Sequence, residues 1–291
     1  MDVLRCRGRH VMHDHWFSSL LYGEAFLDDD KVAYFDGRAL TLCAFPLAGR
    51  DLPDRTEVAR WAVGWVERTG AEALLLIAPN CPDLRHLRAS RMERFHTWRA
   101  RLIGREMIAP VIDPAVRGSG ARRARRALQA PYEVNIGVGG GMDAARLRLI
   151  ERFQRDIGMT PYLAGLTAAW PAVLTRKHVS FIEARDASGV RGFIAMHRPF
   201  ASVAVAIGMA RDERASGVGD FLYAQMLVQA GAWGCAAVNL GPSVTPGQFR
   251  YKLKWAQPSE LPAHASTEWR RGHLTRRHYN LWVPRTMQKS S

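Results

Sequence analysis

The sequence predicts a mixed α/β protein made of two units in tandem. Three observations carry that prediction. Short apolar runs of strand length alternate with amphipathic stretches of helical period. One order of elements (helix, glycine, apolar strand, proline-containing loop) occurs around Gly70 and again around Gly234. The length, 291 residues, suits more than one domain. The elements follow in order. Asp54-Arg55-Thr56-Glu57 has capping-box spacing, with Asp in place of the usual Ser or Thr. It opens a helix whose stripe is Val58, Trp61, Ala62 and Trp65, and Gly70 ends it in the left-handed conformation that a Cβ disfavours. Ala73–Ile77 reads as a buried strand, and Pro79–Pro82 leads into an Arg-rich helix in which Arg85, Arg88, Arg91 and Arg94 share one broad face.

Val116–Gly120 reads as a linker, which places a first unit at 1–119 and a second at 120–291, the latter ending in a basic tail. The second unit opens with the basic run Arg122–Arg126 and a strand around Tyr132–Ile136. Leu147, Ile150, Phe153 and Ile157 then recur at helical spacing. Val179–Ala184 and Val190–Met196 flank the turn Asp186–Gly189 as a hairpin, and Ala204–Met209 is a further apolar run. A helix from about Gly219 to Trp233 carries Leu222, Met226, Ala230 and Trp233 on one face. After Gly234 come the strand Ala236–Leu240, the loop Gly241–Pro246 and a short helix from Gly247. Antiparallel strands beside helix–strand units describe a mixed sheet rather than a doubly wound one.

Composition narrows the class. Apolar residues make up 47% and charged residues 23%, a globular mix that excludes disorder and low complexity. Four Cys make no disulfide framework, so a reducing compartment is expected. No apolar run approaches the ~20 residues that cross a bilayer, and no apolar region follows the N-terminal arginines. The expected location is therefore cytoplasmic. The net charge of +14 is concentrated. Arg85–Arg126 holds 12 Arg against three acids, and Arg270–Ser291 holds five Arg, one Lys and no acid. Such concentration points to a polyanion partner. Phe95, Trp98, Trp269 and Trp282 lie among or beside these charges, as base-stacking groups or as core anchors.

The sharpest motif is Arg214-Ala215-Ser216-Gly217-Val218-Gly219, directly before a helix. Glycines there turn backbone N–H groups toward an anion, and the helix N-terminus adds partial positive charge. The alternative is a plain turn and cap. His10, His13 and His15 with Cys6 have loosely metal-like spacing, but no second ligand cluster supports zinc, so no metal is expected. Gly137-Val138-Gly139-Gly140-Gly141 has Met142 where a dinucleotide fingerprint needs its third glycine, which leaves a second anion-binding turn or a hinge.

The spacing R-x-x-G-x-G between a strand and a helix resembles the acyl-CoA pyrophosphate loop of the GNAT acyltransferase superfamily. Gly217-Val218-Gly219-Asp220-Phe221-Leu222, then Ala230, Gly234 and Asn239-Leu240-Gly241, is similar to the catalytic domain of phosphatidylglycerol lysyltransferases. Leu240-Gly241-Pro242-Ser243, Gly247 and Phe249–Trp255 resemble the Fem-type aminoacyl transferases, and Arg122–Leu128 resembles the basic helix that leads into their second unit. The resemblance covers about 120–260. It departs at Tyr251, where the family has Phe, and at Ala256, where it has Gly.

The resemblance implies two GNAT-like units and transfer of an aminoacyl group from a charged tRNA to an amine or hydroxyl. Lys252 is the implied oxyanion stabiliser, with Tyr251 beside it and Asp220 orienting the acceptor or accepting its proton. Arg214, Gly217, Val218 and Gly219 would hold donor phosphate. Asn239, Ser243 and Lys254 would line the substrate site. No tightly bound cofactor is implied. The donor is an aminoacyl-tRNA held along Arg85–Arg126 and Arg270–Arg285, or alternatively an acyl-CoA, and the acceptor is a soluble small molecule or peptide. A non-catalytic RNA-binding protein of the same fold is the reading from a different class.

Overall fold

The computed structural model describes residues 11–28, 30–46, 51–79, 95–138, 143–156, 176–243, 246–258 and 264–271. Along the chain come α1 (His15–Tyr22), β1 (Glu24–Asp28), β2 (Lys31–Phe35), β3 (Ala39–Cys43), α2 (Arg55–Thr69), β4 (Ala73–Ala78), β5 (Phe95–Gly104) and β6 (Glu106–Pro110). Then follow α3 (Ser119–Leu128), β7 (Glu133–Val138), α4 (Ala144–Asp156), β8 (Ser180–Asp186), β9 (Gly189–His197) and β10 (Val203–Arg211). The last are α5 (Val218–Ala232), β11 (Ala237–Pro242), α6 (Pro246–Lys252), β12 (Gln257–Pro258) and β13 (His264–Arg271). They form two compact units. One runs to Glu106 and takes in β13; the other holds Met107–Gly241 and Gly247–Pro258.

The first unit is a six-stranded mixed sheet in the order β1-β2-β3-β4-β13-β5. β3 and β4 are parallel, with Ala39 opposite Ala73, and α2 is the crossover between them. The Asp54 carboxylate accepts the Glu57 N–H at 2.7 Å, which caps α2, and Gly70 closes it at φ 65°. Trp65, Leu40, Leu42, Leu74, Leu76 and Trp269 pack as one core.

The second unit is a seven-stranded mixed sheet in the order β12-β6-β11-β10-β9-β8-β7. β7 to β10 run antiparallel in sequence order. α5 then crosses to β11, which pairs parallel with β10 from Val203↔Ala237 to Val205↔Asn239 and no further among the described residues. Both strands continue, to Arg211 and Pro242, so the sheet opens between them. α5 is buried on most sides, through Phe221, Leu222, Met226 and Leu227. The buried Glu183 carboxylate on β8 accepts from Arg146 Nε at 2.6 Å, which ties α4 to the sheet.

Both crossovers place a helix, a left-handed glycine (Gly70, Gly234) and a strand in the expected order. The chain departs from expectation at several points. The division falls at 106/107 rather than 119/120, and β13 belongs to the first unit's sheet rather than to a tail of the second. Phe95–Gly104 is a strand, paired antiparallel with β13 from Phe95↔Arg271 to Gly104↔His264; the helix expected from the spacing of Arg85, Arg88, Arg91 and Arg94 falls within 80–94, outside the described residues. Arg270, expected to open a basic tail, is buried and donates from Nε to Glu268 at 2.7 Å, whereas Trp269 takes the core-anchor alternative. Residues 272–291, with Trp282 and Arg285, lie outside the described set. On α4, Leu149 and Ile150 are buried whereas Leu147 is exposed.

No helix among the described residues is long and apolar enough to cross a membrane. His13 is buried, with Nε2 3.0 Å from the Phe45 carbonyl oxygen. Burial lowers its pKa from 6.5 to about 4, although the Phe45 contact acts in the opposite direction. The native state therefore keeps His13 neutral where the unfolded chain binds a proton. Its contribution is complete above pH 6.5 and is lost as pH falls toward about 4. Urea titrations across that window are expected to show about 3 kcal/mol of pH-dependent loss. That loss should vanish in His13→Gln; an unchanged pH profile would contradict the assignment.

Candidate active site

The site is assembled where β10 hands the chain to α5. The buried Asp212 shapes the bend: its Oδ1 accepts the Arg214 N–H at 3.1 Å and its carbonyl accepts the Ala215 N–H at 3.0 Å. Arg191 Nη1 lies 3.2 Å from its other oxygen. Tyr132 Oη donates to the Ser216 carbonyl at 2.7 Å. Gly217 then takes φ 75°, ψ −5°, open space lies where a Cβ would stand, and no side chain caps the helix. The Arg214 side chain is exposed and pairs with no carboxylate among the described residues. An uncapped helix start with an adjacent free guanidinium has the chemistry of an anion site.

Gly219 has a different use from the one expected. A Cβ there would stand 2.6 Å from Tyr251 Oη and would collide with the Arg211 guanidinium. It is therefore a seat for Arg211 and Tyr251 rather than part of an open cradle. Arg211 is fixed by Glu213 at 2.8 Å, and its guanidinium carbon lies 5.2 Å from the Tyr251 ring centre.

Asp220, in the first turn of α5, gathers the neighbouring groups. Its Oδ1 accepts from Tyr251 Oη at 2.9 Å and Trp255 Nε1 at 3.4 Å, and Lys254 Nζ is 3.7 Å from Oδ2. Burial, reinforced by the Asp220 charge and hydrogen bond, pushes the Tyr251 phenol far above its ordinary range. It stays protonated and acts as a donor. Lys252, the next residue, donates from Nζ to the carbonyls of Leu240 at 2.6 Å and Gly241 at 3.1 Å. Those carbonyls lie on the stretch of β11 beyond its pairing with β10.

The structure thus brings Gly219, Asp220, Tyr251, Lys252 and Lys254 together around two short segments. Asn239 is fully buried, and its Oδ1 accepts the Gly241 N–H at 2.7 Å, so it shapes the turn at the end of β11. Ser243 falls with the first unit; its Oγ is buried without a hydrogen-bond partner among the described residues. Sequence reasoning missed Arg211, Asp212, Tyr132 and the anchoring role of Trp255. The dense charge run Arg211–Arg214 after an apolar strand was the available signal. On α3, Arg123 stands 5.8 Å over the Trp255 ring and Arg122 and Arg126 are exposed, so the expected basic helix flanks the site.

No family model matches this chain, and neither does any curated protein. Among solved structures, a conserved protein of unknown function from Bacteroides thetaiotaomicron superposes with TM-score 0.59 at 14% identity, over 92% of this chain and 94% of that one. The two chains share a mixed α/β fold over nearly their whole lengths. The C-terminal domain of a putative lysylphosphatidylglycerol synthetase from Agrobacterium fabrum gives TM-score 0.49 at 13% identity, over 91% of this chain and 88% of that one. FemX gives 0.49 at 9%, over 84% and 87%. At such identities the likeness is one of fold, and the chemistry rests on the side chains above.

Two glycine substitutions separate backbone freedom from close approach. Gly217→Ala meets open space at positive φ and is expected to cost about 1 kcal/mol. Gly219→Ala must displace the Tyr251 hydroxyl and should cost about 1–3 kcal/mol. Chemical denaturation of both variants checks the order; equal losses would count against the packing described for Gly219.

Proposed function

We propose that the protein is an acyltransferase that moves an aminoacyl group from an aminoacyl-tRNA to an amine or hydroxyl of a soluble acceptor. One observation carries the proposal. Asp220 joins the uncapped start of α5 to Tyr251, the neighbour of Lys252, beside the opening between β10 and β11. An anion site, a carboxylate and an ammonium group thereby share one small region.

In the reaction the acceptor attacks the donor ester carbonyl. A carbon–nitrogen or carbon–oxygen bond forms, the ester carbon–oxygen bond breaks, and the acceptor proton ends on the released tRNA hydroxyl. The Lys252 ammonium offsets charge on the tetrahedral oxygen. Asp220 orients the acceptor, and protonated Tyr251 holds that carboxylate in place. The protein's main contribution is position and fixed charge rather than covalent chemistry.

The concentrated charge of the chain and the exposed arginines of α3 beside Trp255 support a tRNA donor. The open bend at Gly217 with Arg214 supports an acyl-CoA as the second reading. Offering labelled aminoacyl-tRNAs beside labelled acetyl-CoA tests the two donors. Transfer from tRNA is expected, with binding that weakens steeply between ~50 and ~200 mM salt. Turnover of acetyl-CoA with salt-insensitive RNA binding would instead assign the CoA donor, and RNA binding without turnover of either would mark a non-catalytic protein. Lys252→Ala is expected to slow transfer by ~10²-fold or more; near-normal rates would remove Lys252 from the mechanism.

A further inference from the structure

A groove on the second unit lies outside the residues used so far. α4 and the β8–β9 turn enclose about 610 Å³. Arg148, Arg152 and Arg155 of α4 and Arg185 of β8 line it, with Asp143 and Glu151 as the acids among them. The three α4 arginines follow steps of four and three residues, so they share one exposed face and span about 10 Å along the axis. Two of the four guanidiniums are tethered: Arg152 lies 3.6 Å from Asp212 and Arg185 lies 3.3 Å from Glu183. Arg148 and Arg155 have no ion-pair partner among the described residues.

The tether at Arg152 ties the groove to the site. Asp212 is the residue whose other oxygen accepts the Arg214 N–H and shapes the bend before α5. One carboxylate thus holds both the bend and the groove wall. Planar guanidiniums suit bidentate contacts to phosphate oxygens. The lining is polar, with Ala145 and Val190 as its apolar members, so it offers phosphate contacts rather than an enclosed apolar wall for a nucleobase or an acyl chain.

We propose that this groove is a second phosphate-binding surface, which holds the phosphodiester backbone of the RNA donor where it leaves the α5 bend. The proposal rests on the tRNA reading above and adds a location that the basic segments of the sequence did not mark. Its length and number of guanidiniums favour a polyanion over the three phosphates of a coenzyme A.

Fluorescence anisotropy with deacylated tRNA across ~50–200 mM salt tests it. The probes are wild type, Arg148→Ala/Arg155→Ala, and a control pair on the first unit, Arg55→Ala/Arg60→Ala. The groove pair should lower the slope of log K against log salt by about 1 to 2 and weaken binding, with melting temperature unchanged and the control at the wild-type slope. A Gln pair at 148 and 155 gives an independent reading of the same contacts. If wild type binds tRNA and both groove pairs keep its slope, this inference falls while the tRNA reading stands. If wild type binds no tRNA, both fall. If free coenzyme A displaces the tRNA and the groove pair weakens coenzyme A binding instead, the groove belongs to a nucleotide and the RNA assignment is overturned.

Discussion

The region rests on one carboxylate. α6 is seven residues long and none of them is fully buried. A helix that short has no independent stability in water, because nucleation costs more than so few hydrogen bonds return. It is held by packing of Tyr251 and the buried Trp255 against Tyr223 and by polar anchors: Tyr251 and, just beyond the helix, Trp255 donate to Asp220, and Lys252 donates to the β11 carbonyls. Asp220 sits in the first turn of α5, where the helix dipole favours an anion. The same charge that suits the helix start also positions the segment bearing Tyr251 and Lys252.

The two crossovers explain why the candidate chemistry lies in the second unit. Each unit has a parallel strand pair joined by a helix, β3–α2–β4 in one and β10–α5–β11 in the other. At α2 the Asp54 carboxylate already accepts the Glu57 N–H of the first turn. At α5 the corresponding position is Gly217, which brings no oxygen and leaves space. A single residue type at the helix start thus separates a self-satisfied crossover from one with binding capacity.

Much of this was legible in the residues. The Asp54 box, the terminating glycines, the β8–β9 hairpin and the bend before α5 are local features, and each stands where its spacing places it. What the sequence concealed is non-local. β5 carries no strand signal of its own, and only β13, far away in the chain, pairs with it along its length. Arg270 reads as the start of a basic tail because nothing near it announces that this stretch pairs with β4, where Trp269 lies opposite Leu74. Gly219 fits a phosphate-loop pattern, yet its missing side chain makes room for Tyr251. Arg211 ends an apolar strand and carries no motif, so only the fold brings it to Tyr251. The short strands β1–β3 go unread for a local reason: five-residue segments give too little period to read.

The position of β13 between β4 and β5 has a consequence for how the protein is made. A nascent chain emerges from the ribosome N-terminus first, and its leading sheet would ordinarily close first. Here β4 and β5 must wait for a strand translated after α6 and β12, when the residues of the other sheet have already been made. The order of completion during biosynthesis is thereby reversed: the later-coded unit can close before the earlier one.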